Sequence, residues 1–200
     1  MTGAFDLVPV AILAAGRSSR MKGRDKLLEP VGGTPLLARQ VHVALATGNP
    51  VYVTLPAEPG SRHQLVSEAV PVIVPDAEEG LAASLRAAIR AIPREAPGLL
   101  LVLADLPELE TTDLLTVLTE AGRRPERPAR GATAEGRPGH PVYLPARLFP
   151  RVLRLAGDRG AAAVLSDEQV LLVPLPAERA VTDLDTPEDW ANWRRDQLEP

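Results

Sequence analysis

The feature that most constrains this chain is a rhythm of short apolar runs separated by helical patterns. Residues 7–13 (LVPVAIL), 51–55 (VYVTL), 72–74 (VIV) and 99–104 (LLLVLA) are apolar at consecutive positions rather than alternate ones. Such runs mark strands buried on both faces. Between them, 35–47 reads as a helix with Thr34 as N-cap, Pro35 at the first helical position and Gly48 just past the end. A weaker helical pattern surrounds 61–69, and a stronger one covers 81–92 (LAASLRAAIRAI). Strand and helix in alternation predict an α/β chain, a Rossmann-like three-layer sandwich built on a mainly parallel sheet.

The second half is less regular. Thr111 or Thr112 caps a helix to about 121, PVYL (141–144) reads as a strand, and helices follow near 145–155 and 158–166. A strand at 169–174 precedes a last helix opened by Thr186-Pro187-Glu188-Asp189, where threonine caps, proline takes the first position and acids favour the positive helix end. Residues 123–139 hold five arginines against two glutamates, with three prolines and three glycines. Two readings stand there, a solvated loop or a cationic flap beside an anionic ligand.

Composition removes several chemistries. The chain has no cysteine, so disulfides, thiolate metal sites and cysteine nucleophiles are all excluded. His42, His63 and His140 are scattered, against a histidine-based metal site. No apolar run of about 18 residues occurs, so no membrane span is expected. The first ten residues carry no basic segment ahead of an apolar stretch, so no secretory leader is expected and the expected compartment is the cytoplasm. A net charge of −4 and 3% aromatic residues argue against nucleic acid as a partner.

Against that acidic total, residues 14–26 carry Arg17, Arg20, Lys22, Arg24 and Lys26 opposed by Asp25 alone, a local charge of +4. The segment follows the first strand, and open parallel sheets bind ligands beyond the carboxyl ends of their strands. Ala14, Ala15 and Gly16 let a ligand approach the backbone, and Ser18 adds a hydroxyl. Small residues, exposed amides and convergent cations suit a polyphosphate. Neither the P-loop nor the dinucleotide glycine pattern fits these residues.

The segment LAAGRSSRMKGRDKLLEPVGGTPLL (13–37) resembles the signature of the MobA-like nucleotidyltransferases, roughly L-[AG]-[AG]-G-x-S-x-R-M-G followed by a lysine. The resemblance continues in order through ADLP (104–107), GHPV (139–142), GDRGAAAVL (157–165) and DLDTPED (183–189). Lys22 departs from the pattern, standing where the family usually has glycine. Within the group the chain is most similar to enzymes that attach a nucleotide to molybdopterin, especially the cytidylyltransferase branch. The resemblance implies a sheet of the nucleotide-diphospho-sugar transferase type in a single domain spanning 1–200, with 1–110 the nucleotide-binding half and 111–200 the acceptor-binding half. The implied reaction is transfer from a nucleoside triphosphate, CTP favoured over GTP, to the phosphate of molybdopterin or its molybdenum form, with a molybdoenzyme as recipient.

The acceptor phosphate is already largely ionised at neutral pH, so no general base is needed. The protein must instead align two mutually repelling anions and neutralise the charge that builds on the transferring oxygens. Arg20 and Lys26 are expected to do so together with Asp105, which ends the most apolar strand. By resemblance Asp105 and Asp185 hold Mg²⁺, with Asp183 outside them; two carboxylates plus phosphate oxygens and waters suit that ion. Leu13, Ala14, Ala15, Gly16, Arg17 and Ser18 are expected to contact the nucleotide, as are Asp76, Gly80 and Ser84 of the segment 75–85. His140 and Asp158 are expected on the acceptor side, His42 in a structural role, and Trp190 and Trp193 in core packing. Two alternatives stay open: transfer to a sugar phosphate or another phosphorylated metabolite, and a carrier or maturation chaperone without catalysis.

Overall fold

A computed structural model describes residues 7–197; residues 1–6 and 198–200, the two ends of the expected domain, lie outside them. The framework is a seven-stranded sheet in the order β5-β4-β1-β6-β8-β7-β9. Its strands are β1 (Val10–Leu13), β4 (Val51–Pro56), β5 (Val70–Val74), β6 (Gly98–Leu103), β7 (Ala129–Ala132), β8 (Pro138–Pro145) and β9 (Leu171–Pro174), while β2 (Pro30–Val31) and β3 (Thr34–Pro35) form a separate hairpin. β5, β4, β1 and β6 run parallel, β8 is antiparallel to both β6 and β7, and β9 runs parallel to β7. The expected α/β sandwich with a mainly parallel sheet is therefore present.

Helices cover both faces: α1 (Leu36–Leu45), α2 (Ser61–Gln64), α3 (Leu81–Ala91), α4 (Thr111–Arg123), α5 (Phe149–Val152), α6 (Ala162–Leu165) and α7 (Pro187–Asp196). The two layers follow from β1 itself. Val10 and Ile12 enter a core with Leu37, Val41, Val117 and Trp190, whereas Ala11 and Leu13 enter one with Leu85, Ile89, Leu101 and Val142. Successive side chains of a strand point to opposite faces, so a strand between two helical layers must be apolar throughout.

Several local expectations give way to tertiary demands. Thr34 does not cap α1; Gly32 and Gly33, at φ 57° and 84°, form a two-residue turn that draws Thr34 and Pro35 into pairing with Pro30 and Val31. The helix expected over 61–69 ends at Gln64, because Val66 turns into the core and the chain must reach β5 by Val70. Glu110 rather than a threonine is the N-cap of α4, its amide donating to the Asp113 carboxylate at 2.9 Å. The helices expected near 145–155 and 158–166 shrink to the four-residue α5 and α6. The last helix is as expected, with the Thr186 hydroxyl accepting from the Asp189 amide at 3.1 Å and the Asp189 carboxylate returning to the Thr186 amide at 2.8 Å.

The largest correction concerns 123–139, which is neither an open loop nor a flap. Ala129, Gly131 and Ala132 are buried in β7 between β8 and β9. Three of its five arginines are engaged from the surface: Arg123 pairs with Glu120, Arg137 with Glu178, and Arg127 donates to the Gln169 carbonyl at 2.6 Å. The small residues let three strands pack closely, and the prolines at 125, 128 and 138 flank the strands rather than loosen the segment. His42, expected in a structural role, is an exposed side chain 3.9 Å from Glu68. Trp190 is buried as expected, and Trp193 meets it edge-on with centroids 6.1 Å apart.

Candidate active site

From β1 the chain passes to β4 on one side and to β6 on the other, so the sheet order reverses at β1. A crevice opens at the carboxyl ends of strands where such a reversal occurs. Here it is a cleft of about 460 Å³ whose walls come from the loop after β1, the turn after β6, the start of α3 and the approach to α7. Leu13, Gly16, Arg17, Ser18, Arg20 and Lys26 line it, and so do Gly80, Ser84, Asp105, Asp158 and Asp185. Most of the expected site residues are thus brought together.

At the centre, Lys26 Nζ lies 2.5 Å from Asp105 Oδ2 and 2.7 Å from Asp185 Oδ1. All three side chains are only 16–17% exposed. Burial alone would lower the lysine's pKa, but the two carboxylates outweigh it and raise it above the ordinary value, so the ammonium stays charged. Arg20 pairs with the other oxygen of Asp185 at 2.6 Å. Asp183 stands behind; burial first, then Asp185 and Asp105, push its carboxyl above the usual range. The ammonium therefore occupies the place of a cation between two carboxylates. Asp105 Oδ1 is buried without a hydrogen-bond partner, an oxygen suited to a further cationic ligand. Two carboxylates with one free oxygen fit Mg²⁺, which keeps waters and phosphate oxygens in its shell. Among the described residues no cluster of three or more acidic or histidine side chains forms a complete metal cage.

The loop after β1 is held from behind by Arg62 of α2, a residue that sequence reasoning missed. Its guanidinium grips both oxygens of Asp25, at 2.6 Å and 2.7 Å, and donates to the carbonyls of Ala14 at 2.6 Å and Gly16 at 2.7 Å. It also reaches Ser18 Oγ at 3.1 Å, and that hydroxyl in turn bonds Asp25. Ala14 and Ala15 are buried, with the Ala14 amide donating to Thr54 Oγ1 at 3.1 Å, so their contribution to the cleft is backbone shape. Ser18 and Lys22 adopt left-handed conformations at φ 50° and 53°, uncommon for residues with a Cβ. The family glycine that Lys22 replaces thus falls at a position that favours glycine.

Each remaining loop cation is paired with a glutamate: Arg17 with Glu78 on the cleft wall at 3.3 Å and, outside the cleft, Lys22 with Glu188 at 2.8 Å and Arg24 with Glu29 at 3.1 Å. Asp76 does not line the cleft; Arg86 holds it at 3.0 Å while also gripping Glu79, whose carboxyl falls to about 2 through the Arg86 hydrogen bonds. Gly80, at φ 120°, presses against the loop that carries Asp158; a Cβ there would lie 2.8 Å from the Gly157 carbonyl carbon. Only glycine permits both that φ and that approach. Ser84 is buried one turn into α3. His140 stands apart from the central cluster, lining a smaller neighbouring cavity with its Nδ1 3.5 Å from the Leu101 carbonyl.

A second hollow of about 510 Å³ adjoins the first through Gly16, Arg17 and Glu78, between the loops that follow β4 and β5. Together the two hollows form a groove with cations and carboxylates at its centre and small, apolar walls to one side. That arrangement can hold a triphosphate and its nucleoside, and the hydroxyl–carboxylate pair of Ser18 and Asp25 is taken up in bracing the loop against Arg62. No helix among the described residues is long and apolar enough to cross a membrane.

Comparison with known proteins agrees with this geometry. The profile of the MobA-like NTP transferase domain matches residues 10–172. A probable molybdenum cofactor guanylyltransferase of Synechococcus elongatus is 31% identical over 186 residues, 90% of this chain and 95% of that protein. The purine catabolism protein PucB of Bacillus subtilis is 30% identical over 197 residues, 92% of this chain and 94% of its own. The crystal structure of Rv0371c from Mycobacterium tuberculosis superposes with a TM-score of 0.82 at 27% identity, covering 93% of this chain and 96% of that one. With the Gly16 loop, Lys26 and the strand-terminal Asp105 inside the matched region, the chain belongs to the MobA-like NTP transferase family.

Proposed function

We propose that this protein transfers a nucleotide from a nucleoside triphosphate to the phosphate of molybdopterin or its molybdenum form and releases pyrophosphate. The observation that carries the reading is the Lys26 ammonium clasped between Asp105 and Asp185, beside the Gly16 loop. In this reaction an acceptor phosphate oxygen forms a bond to the α-phosphorus, and the bond from that phosphorus to the bridging oxygen of the β-phosphate breaks. Lys26 and Arg20 neutralise charge on the transferring and leaving phosphates. The Gly16 loop, braced by Arg62, presents backbone amides to the triphosphate and fixes its path. Ser84, Gly80 and Leu13 bound the nucleoside, and Asp158 lies toward the acceptor. Asp105 and Asp185 would hold Mg²⁺, which supplies Lewis-acid charge neutralisation when bound.

The resemblance of LAAG, GHPV and DLDTPED to the cytidylyltransferase branch favours CTP; the names of the Synechococcus relative and its kin favour GTP as a second reading. Pyrophosphate release decides between them, measured with CTP and GTP in parallel, with and without molybdopterin and Mg²⁺. The expected result is release that needs molybdopterin and Mg²⁺ and is faster with CTP. Faster release with GTP would establish the second reading. Nucleotide binding without release on adding molybdopterin would overturn this acceptor and direct the search to other phosphorylated metabolites.

A further inference from the structure

A cavity of about 120 Å³ lies between the sheet and the layer of α3 and α6, and shares Leu13, Leu81 and Leu103 with the walls of the active cleft. Its lining is apolar except for two side chains, Arg130 and His140. Arg130 sits on β7 in register with Val142, whose side chain belongs to the α3-side core, so the arginine points into the same layer. It is half-buried, and its Nε donates to the Gly139 carbonyl at 3.0 Å, which fixes the guanidinium plane. Among the described residues no carboxylate pairs with it. Three other shielded arginines do have one, Arg62 with Asp25, Arg86 with Glu79 and Arg179 with Asp113, whereas the half-buried Arg39 donates to the Leu109 carbonyl instead. A shielded guanidinium without a counter-ion, facing a ring-sized space, is expensive unless a ligand completes it. A cavity of about 150 Å³ lined by apolar side chains accepts a benzene ring, so this one is close to the size of a single ring.

We infer that this cavity is a subsite for a planar ring bearing a carbonyl or carboxylate oxygen, with Arg130 donating to that oxygen through its fork and His140 packing beside it. Resting on the reading above, the ring is the end of the acceptor remote from its reacting phosphate. The walls shared with the cleft let one molecule reach from Arg130 toward Lys26.

Sodium benzoate, a compact planar carboxylate, tests the cavity without any assumption about the acceptor. Titrated into the full-length ¹⁵N-labelled protein at neutral pH, it is expected to shift the Arg130 Nε–H and His140 ring resonances saturably at millimolar concentration. Arg130→Gln abolishes that response, and Arg130→Lys, which keeps the charge but not the fork, weakens it. Thermal melting checks that each variant is folded, and Arg130→Lys carries the comparison if Arg130→Gln is not. No saturable shift in the wild type, or an equal one in the folded variants, would overturn the subsite. In turnover assays Arg130→Gln is expected to raise the KM for molybdopterin at least tenfold, leaving the nucleotide KM within about twofold. An unchanged molybdopterin KM in a working enzyme would refute the link to the acceptor. Benzoate binding in a protein that does not turn over molybdopterin would support the subsite while overturning the acceptor proposed above.

Discussion

Replacing Arg62 by methionine is the sharpest test of how the nucleotide loop is held. Methionine keeps an unbranched apolar stem like that of arginine, so the change removes chiefly the guanidinium. Lost with it are two bonds to Asp25, one each to the carbonyls of Ala14 and Gly16, and one to Ser18. Arg62 is only 9% exposed, whereas Asp25 is 26% exposed, so water can partly rescue the carboxylate but not the buried Ala14 carbonyl. Removing one partner of a buried, hydrogen-bonded ion pair costs about 3–5 kcal/mol, and the partial access of water to Asp25 places this case toward 3. Urea unfolding, with a slope of about 2 kcal/mol/M, should therefore show a midpoint lower by roughly 1.5 M. Burial alone would raise the Asp25 carboxyl, but the Arg62 hydrogen bonds and charge hold it below its ordinary value of 3.8. A depressed carboxylate stabilises the fold above its unfolded pKa and loses that contribution as pH falls through its folded pKa. The gap between wild type and Arg62→Met should accordingly be full near neutrality and shrink below about pH 4. The nucleotide KM should rise in the same variant, since Ala14, Gly16 and Ser18 lose their common anchor. A stability loss under about 1 kcal/mol, or a gap independent of pH, would refute the reasoning.

Three other perturbations have expected outcomes. Lys26→Ala leaves Asp105 and Asp185 facing each other without their cation and should slow pyrophosphate release at least about 100-fold; near wild-type release would remove the clasp from the mechanism. Lys22→Gly removes the cost of a left-handed non-glycine residue, about 1–2 kcal/mol, against about 0.4–1 kcal/mol of added unfolded-chain entropy. The variant should be more stable by roughly 0.5–1 kcal/mol and melt about 2–3 °C higher, and a lower melting point would contradict the strain assigned to the loop. Burial drives the His140 imidazole down to about 4, assisted by Arg130 and opposed by the Leu101 carbonyl and Asp105. Between that value and its unfolded 6.5 the unfolded chain binds the extra proton, so stability falls as pH drops through this window, by up to about 3 kcal/mol from this group. His140→Gln should flatten the loss, and identical urea midpoint shifts for the two proteins between pH 7.5 and 4.5 would show that His140 is not the group responsible.

What the sequence makes legible here follows from periodicity and chain order. β1, β4 and β6 announce themselves because a strand between two helical layers is apolar at nearly every position, Thr54 being the hydrogen-bonded exception in β4, and Asp105 just past β6 is legible as the charge that ends such a run. The small-residue strand β7 does not, because the run ARGA carries no period of its own, and α2 shows only as a weak pattern that overruns its end at Gln64; partners elsewhere make both regular. Charge pairing is harder still. Five cations between Arg17 and Lys26 look equivalent along the chain, yet Lys22 and Arg24 turn to glutamates outside the cleft, Arg17 pairs with Glu78 on its wall, and only Arg20 and Lys26 reach the central carboxylates. Lys26 meets Asp105 and Asp185 across 79 and 159 residues, and Arg62 meets Asp25 across 37. No local rule encodes such distances; they are products of the sheet order, which brings the ends of β1, β4 and β6 to one rim. The loop's +4 charge points to an anionic ligand, but how much of it faces the cleft is decided by acids that lie far away in sequence. A basic loop is therefore best judged by the cations its own fold leaves facing the cleft, which in this protein are Arg17, Arg20 and Lys26, and of these only Arg20 and Lys26 meet its central carboxylates.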